Sequence, residues 1–287
     1  MRIAIAACAR NPSLSRSNAC YRHSLEARGA EVAVLAWNRD PMAAFLRHDL
    51  VVLRQTWDYQ EDPGGFAAWL VRLEALGGRV EAPAPLAIWN NDKRTLVELG
   101  AAGIPIPETV ALRDGVETAL PSGTGTDRIV LKPAFGGDGV GVGVCNRAEI
   151  GATLRELHAE APGRPYMAQA FLPEIGGGEW KMTVIEGAVA LAVRAVPRAG
   201  EFRINTRFGP SIEVATPPAA ARRCAERVMQ IVGTPLCGRV DGVMRGDGFI
   251  CTEVELCDPD LHLHHDPTVA DHLAERTLVR ARCRTGG

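Results

Sequence analysis

Residues 129–142 read Ile129-Val-Leu-Lys132-Pro-Ala-Phe-Gly136-Gly137-Asp-Gly139-Val-Gly141-Val, an apolar strand that delivers a lysine into a run of glycines. Glycines let backbone N–H groups approach a phosphate closely, and lysine adds a point charge. The lysine precedes the glycines, which excludes a Walker A loop, where it follows them. The glycines lead into a second strand-like stretch, whereas a Rossmann fingerprint opens a helix. The stretch predicts a phosphate-binding hairpin of another kind, and the alternative is a glycine-rich hairpin without a ligand.

A second predicted hairpin carries three acidic side chains that can converge. Its strands contain Arg239-Val-Asp241 and Thr252-Glu253-Val-Glu255, joined by the turn Arg245-Gly-Asp-Gly248. Glu253 and Glu255 are two residues apart, so they share one face of a strand. Neighbouring carboxylates repel one another unless a cation neutralises them, and Mg²⁺ accepts carboxylate, water and phosphate oxygens. The pattern favours a metal site over an exposed acidic strand face, because the residues between the acids are apolar.

Three shorter segments offer groups that suit the same kind of site. Lys93 stands at the start of a predicted helix, and Gly178-Glu179-Trp-Lys181 offers a carboxylate and a cation. Between them, Met167-Ala-Gln169-Ala-Phe171-Leu172-Pro173 is an apolar strand that stops at a proline. Backbone donors and acceptors at such a strand end can pair with the edge of an adenine base. Lys93 and the strand also have plain alternatives, a solvated lysine and an ordinary buried strand.

The first part of the chain has the pattern of a small parallel sheet. The predicted elements alternate between strand and helix, in the order 2–7, 18–28, 31–36, 42–47, 50–53 and 66–76. This alternation indicates an α/β unit, and ligands of such sheets lie beyond the carboxyl ends of the strands. Two of those ends are polar, Arg10-Asn-Pro-Ser13 and Arg54-Gln-Thr-Trp-Asp58.

The pattern changes after Pro83 and Pro85, which predict a linker. A single helix is predicted over 91–102. From about residue 109, glycine-punctuated strands follow, separated by helices predicted near 147–159, 218–232 and 267–282. The fold class is therefore α/β followed by α+β. We divide the chain into a Rossmann-like parallel-sheet domain and two further lobes, at 1–86, 87–165 and 166–287.

The composition is that of a soluble globular protein and narrows the classes of partner. Of 287 residues, 46% are hydrophobic and 23% are charged, and the formal net charge is −2. Nucleic-acid-binding proteins usually carry a basic excess, so we expect no nucleic-acid partner. No apolar run approaches the roughly 18 residues of a membrane helix. We therefore expect no membrane partner, and a cytoplasmic protein whose eight cysteines stay reduced.

In this order, the segments resemble the ATP-grasp superfamily, most of all glutathione synthetase and its relatives that modify ribosomal proteins. The resemblance covers residues 88–261 and is closest at 131–133, 169–173, 178–181 and 201–205. It implies an ATP-grasp fold, with ATP and Mg²⁺ as cofactors and Mn²⁺ as a substitute metal. It also implies that a carboxylate is activated as an acyl phosphate and joined to a nitrogen nucleophile.

The resemblance implies how the residues divide over ATP. Lysines hold the α- and β-phosphates, glycines close over them, a strand end frames adenine, and a carboxylate with a neighbouring cation meets the ribose. In that order, the implied residues are Lys93 and Lys132; Gly136, Gly137 and Gly139; Gln169, Phe171 and Leu172; and Glu179 and Lys181.

The resemblance also implies a metal and a catalytic set. Asp241, Glu253 and Glu255 would hold two Mg²⁺ ions. Arg203, with Asn205 and Lys132, would stabilise charge on the acyl phosphate and the tetrahedral intermediate, where electrostatic stabilisation does most of the work. The pattern of residues predicts a metal site and a phosphate site, and the resemblance implies the number of ions and the role of each residue.

Two positions depart from the pattern of the family. Glu255 stands where most of these relatives have Asn, which adds a negative charge to the metal set. Arg194 is one residue from the arginine of the family. We carry it to the substrate set, with Arg207 as the alternative.

A narrower resemblance is to the cyclo-ligases of the cycloserine pathway. It rests on residues 8–18, on Leu53-Arg-Gln-Thr-Trp-Asp-Tyr59, on 89–93 and on 253–255. It implies that O-ureido-D-serine is closed to D-cycloserine, with release of carbon dioxide and ammonia. The two polar strand ends would then bind a small amino-acid-like substrate, through Arg10, Asn11, Arg54 and Asp58.

The sequence is also compatible with other functions. The enzyme could join two separate amino acids or peptides, or the chain could be an ATP-binding regulatory protein without turnover. A different metal site could use His262, His264 and His265, two of which share a face if the stretch is extended; the alternative is a polar loop. A homo-oligomer is compatible with the sequence.

Overall fold

The computed structural model describes residues 1–11, 13–112, 127–160 and 162–283. The sequence element at 121–125, rich in Gly and Pro, and Pro12 of the first polar strand end lie outside the described residues. The strands are β1 (Arg2–Ala7), β2 (Glu31–Ala36), β3 (Leu50–Gln55), β4 (Val80–Glu81), β5 (Thr109–Ala111), β6 (Arg128–Pro133), β7 (Gly143–Asn146), β8 (Tyr166–Ala170), β9 (Glu179–Ile185), β10 (Ala188–Val196), β11 (Ser211–Val214), β12 (Cys237–Arg245) and β13 (Gly248–Glu255). The helices are α1 (Arg16–Ala27), α2 (Met42–Phe45), α3 (Pro63–Ala75), α4 (Ala84–Asn91), α5 (Thr95–Ala101), α6 (Ile150–Glu160), α7 (Ala219–Ile231) and α8 (Pro267–Arg282).

The N-terminal strands form a parallel sheet in the order β2-β1-β3-β4, as the alternating pattern predicts. Successive side chains of β1 point to opposite faces. Ile3 and Ile5 pack in one core cluster with α1 and α8, whereas Ala4 and Ala6 pack in another with α3. This α/β unit is therefore covered on both faces, as a parallel sheet requires.

The last helix of the described chain completes the N-terminal core. Leu273 and Leu278 of α8 share a cluster with Ile3, Ile5 and residues of β9 and β10. The buried hydroxyls of Tyr21 in α1 and Thr277 in α8 lie 2.7 Å apart in a hydrogen bond. The helix begins at Pro267. Asp266 is its N-cap, and the Asp266 side chain accepts the N–H of Thr268 at 3.0 Å.

The remaining described strands form two antiparallel sheets. One has the order β11-β10-β9-β12-β13 and the other β5-β8-β6-β7. In the first, β12 and β13 form the predicted hairpin, with Asp241 opposite Glu253 and Arg239 opposite Glu255. Helix α7 covers this sheet through Ala221, Ala225 and Val228, which recur at helical spacing.

Two of our expectations about the middle of the chain are wrong. The prolines do not form a linker, because Pro85 occupies the first turn of α4, where a missing N–H costs nothing. Two helices occupy the region of the expected helix over 91–102, and the first of them ends at Asn91. Lys93 lies between them, and its N–H bonds the carbonyl of Ala134 at 2.9 Å, outside either helix.

The division after residue 165 also needs correction. Strand β8 pairs with β5 and β6, so it belongs to the sheet of the second lobe although our division assigns it to the third. The apolar pattern of a strand does not specify which strand it pairs with, so the sheet of β8 could not be assigned from sequence. Among the described residues, no helix combines the length and apolar character needed to cross a bilayer.

Candidate active site

A cleft lies between the two antiparallel sheets. Every residue that the sequence assigns to ATP lines it, and so do all three residues assigned to charge stabilisation and two of the three carboxylates expected to bind metal: Lys93, Lys132, Gly136, Gly137, Gly139, Gln169, Phe171, Leu172, Glu179, Lys181, Arg203, Asn205, Glu253 and Glu255. The third carboxylate, Asp241, lies beneath the floor and is 1% exposed.

Lys132 is a cation without a countercharge. It stands near the end of β6, and no carboxylate of the described residues pairs with it. Burial lowers the pKa of its ammonium group, and the nearby Lys93 adds to that effect, while Glu253 opposes it. A buried ammonium group in this position gains free energy from any anion that enters the cleft.

The glycine loop after β6 forms one wall of the cleft. Gly139 and Gly141 have positive φ angles of 67° and 70°, which side chains other than glycine rarely adopt. A Cβ atom on Gly139 would lie 2.7 Å from Asn205 Oδ1 and 2.9 Å from the Phe208 ring. The loop therefore packs closely against the segment that carries Arg203 and Asn205.

Lys93 is paired with a metal carboxylate. Its Nζ contacts Glu253 Oε1 in a short ion pair. Burial alone would lower the pKa of Lys93, but the charges of Glu253 and Glu255 raise it above its ordinary value. Burial alone would raise the pKa of Glu253, but the charge of Lys93 lowers it to about 2. Both groups are therefore charged at neutral pH.

Three carboxylates can reach one ion. One oxygen from each of Asp241, Glu253 and Glu255 lies within 4.8 Å of the others, as the β12–β13 register places them. Such a set of oxygen ligands fits Mg²⁺. Burial raises the pKa of Glu255 to about 7, above its ordinary value. The charge of Arg239 lowers this pKa, but the negative charges of Glu253 and Asp241 raise it.

Arg239 is a residue that our sequence reasoning missed. Its Nε and Nη2 donate to the two oxygens of Asp241 at 2.8 and 2.9 Å, and Nη2 also donates to Glu255 Oε1 at 2.7 Å. It stands two residues before Asp241 on β12, so both side chains share a face. The extra charge at Glu255 relative to the family thus has an internal partner.

Lys181, one of the two residues expected to meet the ribose, links Asp241 to Glu179. Lys181 Nζ lies 3.0 Å from Glu179 Oε2 and 2.8 Å from Asp241 Oδ2. Burial would raise the pKa of Asp241, but Arg239 and Lys181 hold it well below its ordinary value, whereas burial raises the pKa of Glu179. Thr252 Oγ1 donates to Glu179 Oε1 at 2.7 Å and fixes that carboxylate at the cleft wall.

The far end of the cleft is formed by the end of β8. Gln169 is 3% exposed and donates from Nε2 to Thr109 Oγ1 at 3.0 Å, so its side-chain amide is already engaged within the protein. Phe171 follows it, with the Arg128 guanidinium 4.0 Å above the ring centre. This apolar and aromatic end suits a planar base.

Arg203 and Asn205 face the same space from a loop after β10. Arg203 pairs with Glu201, with Nη2 to Oε2 at 2.8 Å, and stacks 3.9 Å above the centre of the Phe208 ring. The hydrogen bonds from Arg203 lower the pKa of Glu201 to about 2, although burial opposes them. Arg207, the alternative cation, is exposed and stacks on the same ring at 4.7 Å.

The substrate candidates are placed outside this cleft. Among the described residues that line it, none is Arg10, Asn11, Arg54, Asp58 or Arg194. Arg10 is 70% exposed and pairs with Glu61, and Asn11 is exposed too. Asp58 accepts hydrogen bonds from Trp37 and Asn38.

The other two substrate candidates, Arg54 and Arg194, are engaged within the protein. Arg54 is 2% exposed and donates to Asn18 Oδ1 at 3.1 Å and to the carbonyl of Pro259 at 2.7 Å. Arg194 donates to the carbonyl of Gly177. Both contribute to structure in this state.

The three histidines are not arranged as the extended pattern requires. His262 has a positive φ angle of 54° and is followed by a short 3-10 turn, Leu263–His265. Burial lowers the pKa of His262 to about 4, and this side chain is 5% exposed. Among the described residues, no group that can converge on an ion includes these histidines.

Comparison with known proteins relates two segments of the chain to two family models. Residues 3–81 match the N-terminal domain of D-cycloserine synthetase DcsG, and residues 107–236 match the ATP-grasp domain of prokaryotic glutathione synthetase. The second range includes Lys132, the glycine loop, Gln169, Glu179 and Arg203. This chain has an ATP-grasp fold.

ATP-grasp relatives of known name cover most of the chain. It is 27% identical over 271 residues to the cycloserine biosynthesis protein DcsG of Streptomyces lavendulae, covering 88% of this chain and 90% of that protein. It is also 27% identical over 289 residues to a glutathione synthetase of Parasynechococcus marenigrum, covering 92% and 87%. The solved structure of DcsG has a TM-score of 0.83 at 24% identity and covers 98% of this chain and all of that one.

The ATP-grasp assignment fixes the class of reaction. The chain is an ATP-dependent ligase that joins a carboxylate to an amine, as the enzymes of this superfamily do with ATP and Mg²⁺, and its substrates are small molecules. An ATP-binding protein without turnover is thereby set aside. The D-alanine–D-alanine ligase of Bacillus anthracis shares the fold, with a TM-score of 0.70 at 16% identity over 98% and 97% of the two chains.

Proposed function

We propose that this ATP-grasp ligase closes a single amino-acid-like molecule into a ring, converting O-ureido-D-serine to D-cycloserine. The observation that carries the proposal is the juxtaposition of Lys93 and Lys132 with three convergent carboxylates at one end of the cleft. The resemblance of residues 3–81 to the N-terminal domain of DcsG supports a cyclo-ligase over other ligases.

The phosphates of ATP would bind at this charged end of the cleft. Lys132 has no countercharge among the described residues, so a phosphate supplies the one it lacks. Lys93 would leave Glu253 for a second phosphate, and Glu253 would turn to the metal. Gly136, Gly137 and Gly139 would close over the phosphates.

The remaining ATP contacts would follow from the cleft wall. Gln169, Phe171 and Leu172 would frame adenine at the end of β8, and Glu179 and Lys181 would meet the ribose. The domain division at 1–86, 87–165 and 166–287, with β8 moved to the second lobe, would then place ATP between the second and third lobes.

The metal set would hold two Mg²⁺ ions, which Mn²⁺ could replace. Bound Mg²⁺ neutralises the charge that develops on the transferring phosphoryl group. Asp241, Glu253 and Glu255 would hold it, and Arg239 would keep Asp241 and Glu255 oriented in its absence.

The residues around the reacting carboxylate would stabilise charge and exclude water. Arg203 and Asn205 would lie over the acyl phosphate, with Arg203 releasing one oxygen of Glu201, and Lys132 would stay on the phosphoryl oxygens. The nitrogen of the same molecule then attacks the acyl carbon, phosphate leaves, and the carbamoyl group departs with water as carbon dioxide and ammonia.

The test uses one substrate and no second amine. With O-ureido-D-serine, ATP and Mg²⁺, we expect ADP release and D-cycloserine in equal amounts, measured by coupled assay and mass spectrometry. Glu253→Gln removes a metal ligand and should lower kcat by about 100-fold or more. As a control on a surface position, Asp271→Asn removes a half-exposed carboxylate that pairs with Arg28 and should leave kcat unchanged.

Two outcomes would contradict the proposal. ADP release that begins only when a separate amine is added would favour the alternative, a ligase that joins two amino acids or peptides. Unchanged turnover in Glu253→Gln would show that the metal assignment is wrong.

A further inference from the structure

The segment that follows β13 joins the charged end of the cleft to the parallel sheet. We call residues 257–262 the junction loop. Thr56 Oγ1, just after β3, donates to Asp258 Oδ2 at 2.9 Å, and Arg54 Nη2 donates to the carbonyl of Pro259 at 2.7 Å. From the other side, Arg239 Nη1 donates to the carbonyl of Asp260 at 3.1 Å. The junction loop is therefore bonded both to the end of β3 and to the β12–β13 hairpin.

Asp258 is a carboxylate close to the metal set that forms no ion pair with a described residue. Glu253 has Lys93, Glu255 has Arg239, Glu179 has Lys181 and Glu61 has Arg10. Within the described parts of the chain, no cationic side chain lies within ion-pair distance of Asp258, and Thr56 is its hydrogen-bond donor. Burying a carboxylate without a countercharge is costly.

Asp258 lies close to Tyr59, at the carboxyl end of β3. Tyr59 stands beside Thr56, and burial, followed by the charges of Asp258 and Glu255, raises the pKa of its hydroxyl well above the ordinary value. Tyr59 is thus close to Asp258 and to the metal carboxylates. This space is at the carboxyl end of β3, where parallel sheets bind their ligands.

A second unpaired group lies at the same strand end. Arg54 Nε and Nη1 are buried and have no hydrogen-bond partner among the residues that the structure describes. The contact between the junction loop and β3 therefore brings an acid without an ion pair close to unpaired donors, which is the arrangement that a zwitterionic ligand satisfies.

We propose that Asp258 binds the ammonium group of the substrate, so that the enzyme selects α-amino acids over the corresponding acids without an amino group. This inference rests on the proposed function, because it places the substrate next to the metal set. The ammonium group supplies the missing countercharge, and it sits on the carbon beside the reacting carboxylate. Asp258 would therefore fix that carboxylate at the cleft.

The experiment compares a substrate with its analogue lacking the amino group. The probes are O-ureido-D-serine and 3-(ureidooxy)propanoate, and the readout is ADP release with Mg²⁺ and ATP. We expect the wild-type enzyme to prefer the amino compound by about 30-fold or more in kcat/KM, since an unpaired buried charge costs at least about that factor. Asp258→Asn keeps an acceptor for Thr56 and should raise KM for the amino compound by a similar factor, with a smaller change in kcat.

A matched control lies two residues further along the junction loop. Asp260→Asn removes the same charge but leaves an oxygen to accept the N–H of His262, which Asp260 Oδ1 accepts at 3.0 Å in the native protein. We expect its KM to stay near the wild-type value. Equal use of both probes by the wild-type enzyme, or an unchanged KM in Asp258→Asn, would overturn the proposal.

A failure of the ring-closing function is recognised separately. If the wild-type enzyme releases no ADP with O-ureido-D-serine, thermal shift with Mg²⁺ and AMP-PNP is measured for D-alanine and D-serine against propanoate and 3-hydroxypropanoate. Stabilisation by the amino acids that is lost in Asp258→Asn supports the role of Asp258. No stabilisation by either amino acid, or equal stabilisation by the acids, overturns it.

Discussion

At the scale of single residues, Asp258 gives the ligand-free protein a measurable dependence on pH. Burial raises the pKa of this carboxyl from 3.8 to about 6. Because the folded protein holds the proton more tightly than the unfolded chain, stability falls as pH rises through this window. We therefore expect Asp258→Asn to be more stable than the wild type, by an amount that grows by about 1 kcal/mol between pH 5 and pH 8. Urea unfolding at both pH values measures it.

Asp260→Asn is the control for this prediction. Burial alone would raise the pKa of Asp260, but His262 and Arg239 lower it, so its ionised form stabilises the fold. Its removal should destabilise the protein across the same window. A difference between Asp258→Asn and wild type that does not change with pH would contradict the prediction.

The residues that the sequence could identify are those whose role is local. Lys132 precedes its glycines on the same strand, and Glu253 and Glu255 share a face by spacing alone, so the site could be located before the fold was known. Arg239 and Asp258 could not be identified in this way, because their importance comes from partners on other elements. The polar strand ends stay a prediction for the substrate, although Arg54 has partners inside the protein.

At the scale of elements, the glycine loop should tolerate no side chain at Gly139. A Cβ there would collide with Asn205 and Phe208, in addition to the strain of a positive φ. We expect Gly139→Ala to lower kcat/KM for ATP by about 10- to 100-fold, because small displacements of catalytic groups have large effects. Steady-state kinetics at varied ATP concentrations measures this.

Gly29→Ala separates strain from collision. Gly29 has a φ angle of 79°, and a Cβ added there would have open space for 4 Å around it, so the variant carries the strain alone. We expect it to lose about 1 kcal/mol of stability and to keep its kcat/KM for ATP. Similar kinetic losses in both variants would show that the loop contact is not responsible.

Elements with local stop signals were predicted well. Helix α8 has the bounds expected from sequence, since Asp266 caps it and Pro267 opens it. Helix α4 was not predicted, because a proline fits its first turn, and α5 was predicted as part of a longer helix over 91–102, because a bond from Lys93 to Ala134 separates the two helices. The acceptor of that bond follows β6, so no window along the sequence around residue 93 contains it.

At the scale of the whole molecule, the shared core should make the parallel sheet and the large antiparallel sheet unfold together. Leu273 of α8 is 1% exposed and belongs to a cluster that also contains Ile3 and Ile185. Leu273→Ala should lower the free energy of unfolding by about 2–5 kcal/mol while calorimetry still shows one transition for both sheets. Val71→Ala, at a position 54% exposed on α3, is the control and should change stability little. Separate transitions in the variant would contradict a shared core.

The position of α8 against the parallel sheet also sets the order in which the molecule can be completed. Ribosomes deliver β1 and β3 before α8, yet the face that carries Ile3, Ile5 and Val52 is covered by residues 267–282 together with α1. Until α8 is made, nascent chains thus expose part of that apolar surface to chaperones. Strands β1 and β3 can pair early in synthesis, but their shared face is completed only by the last described helix.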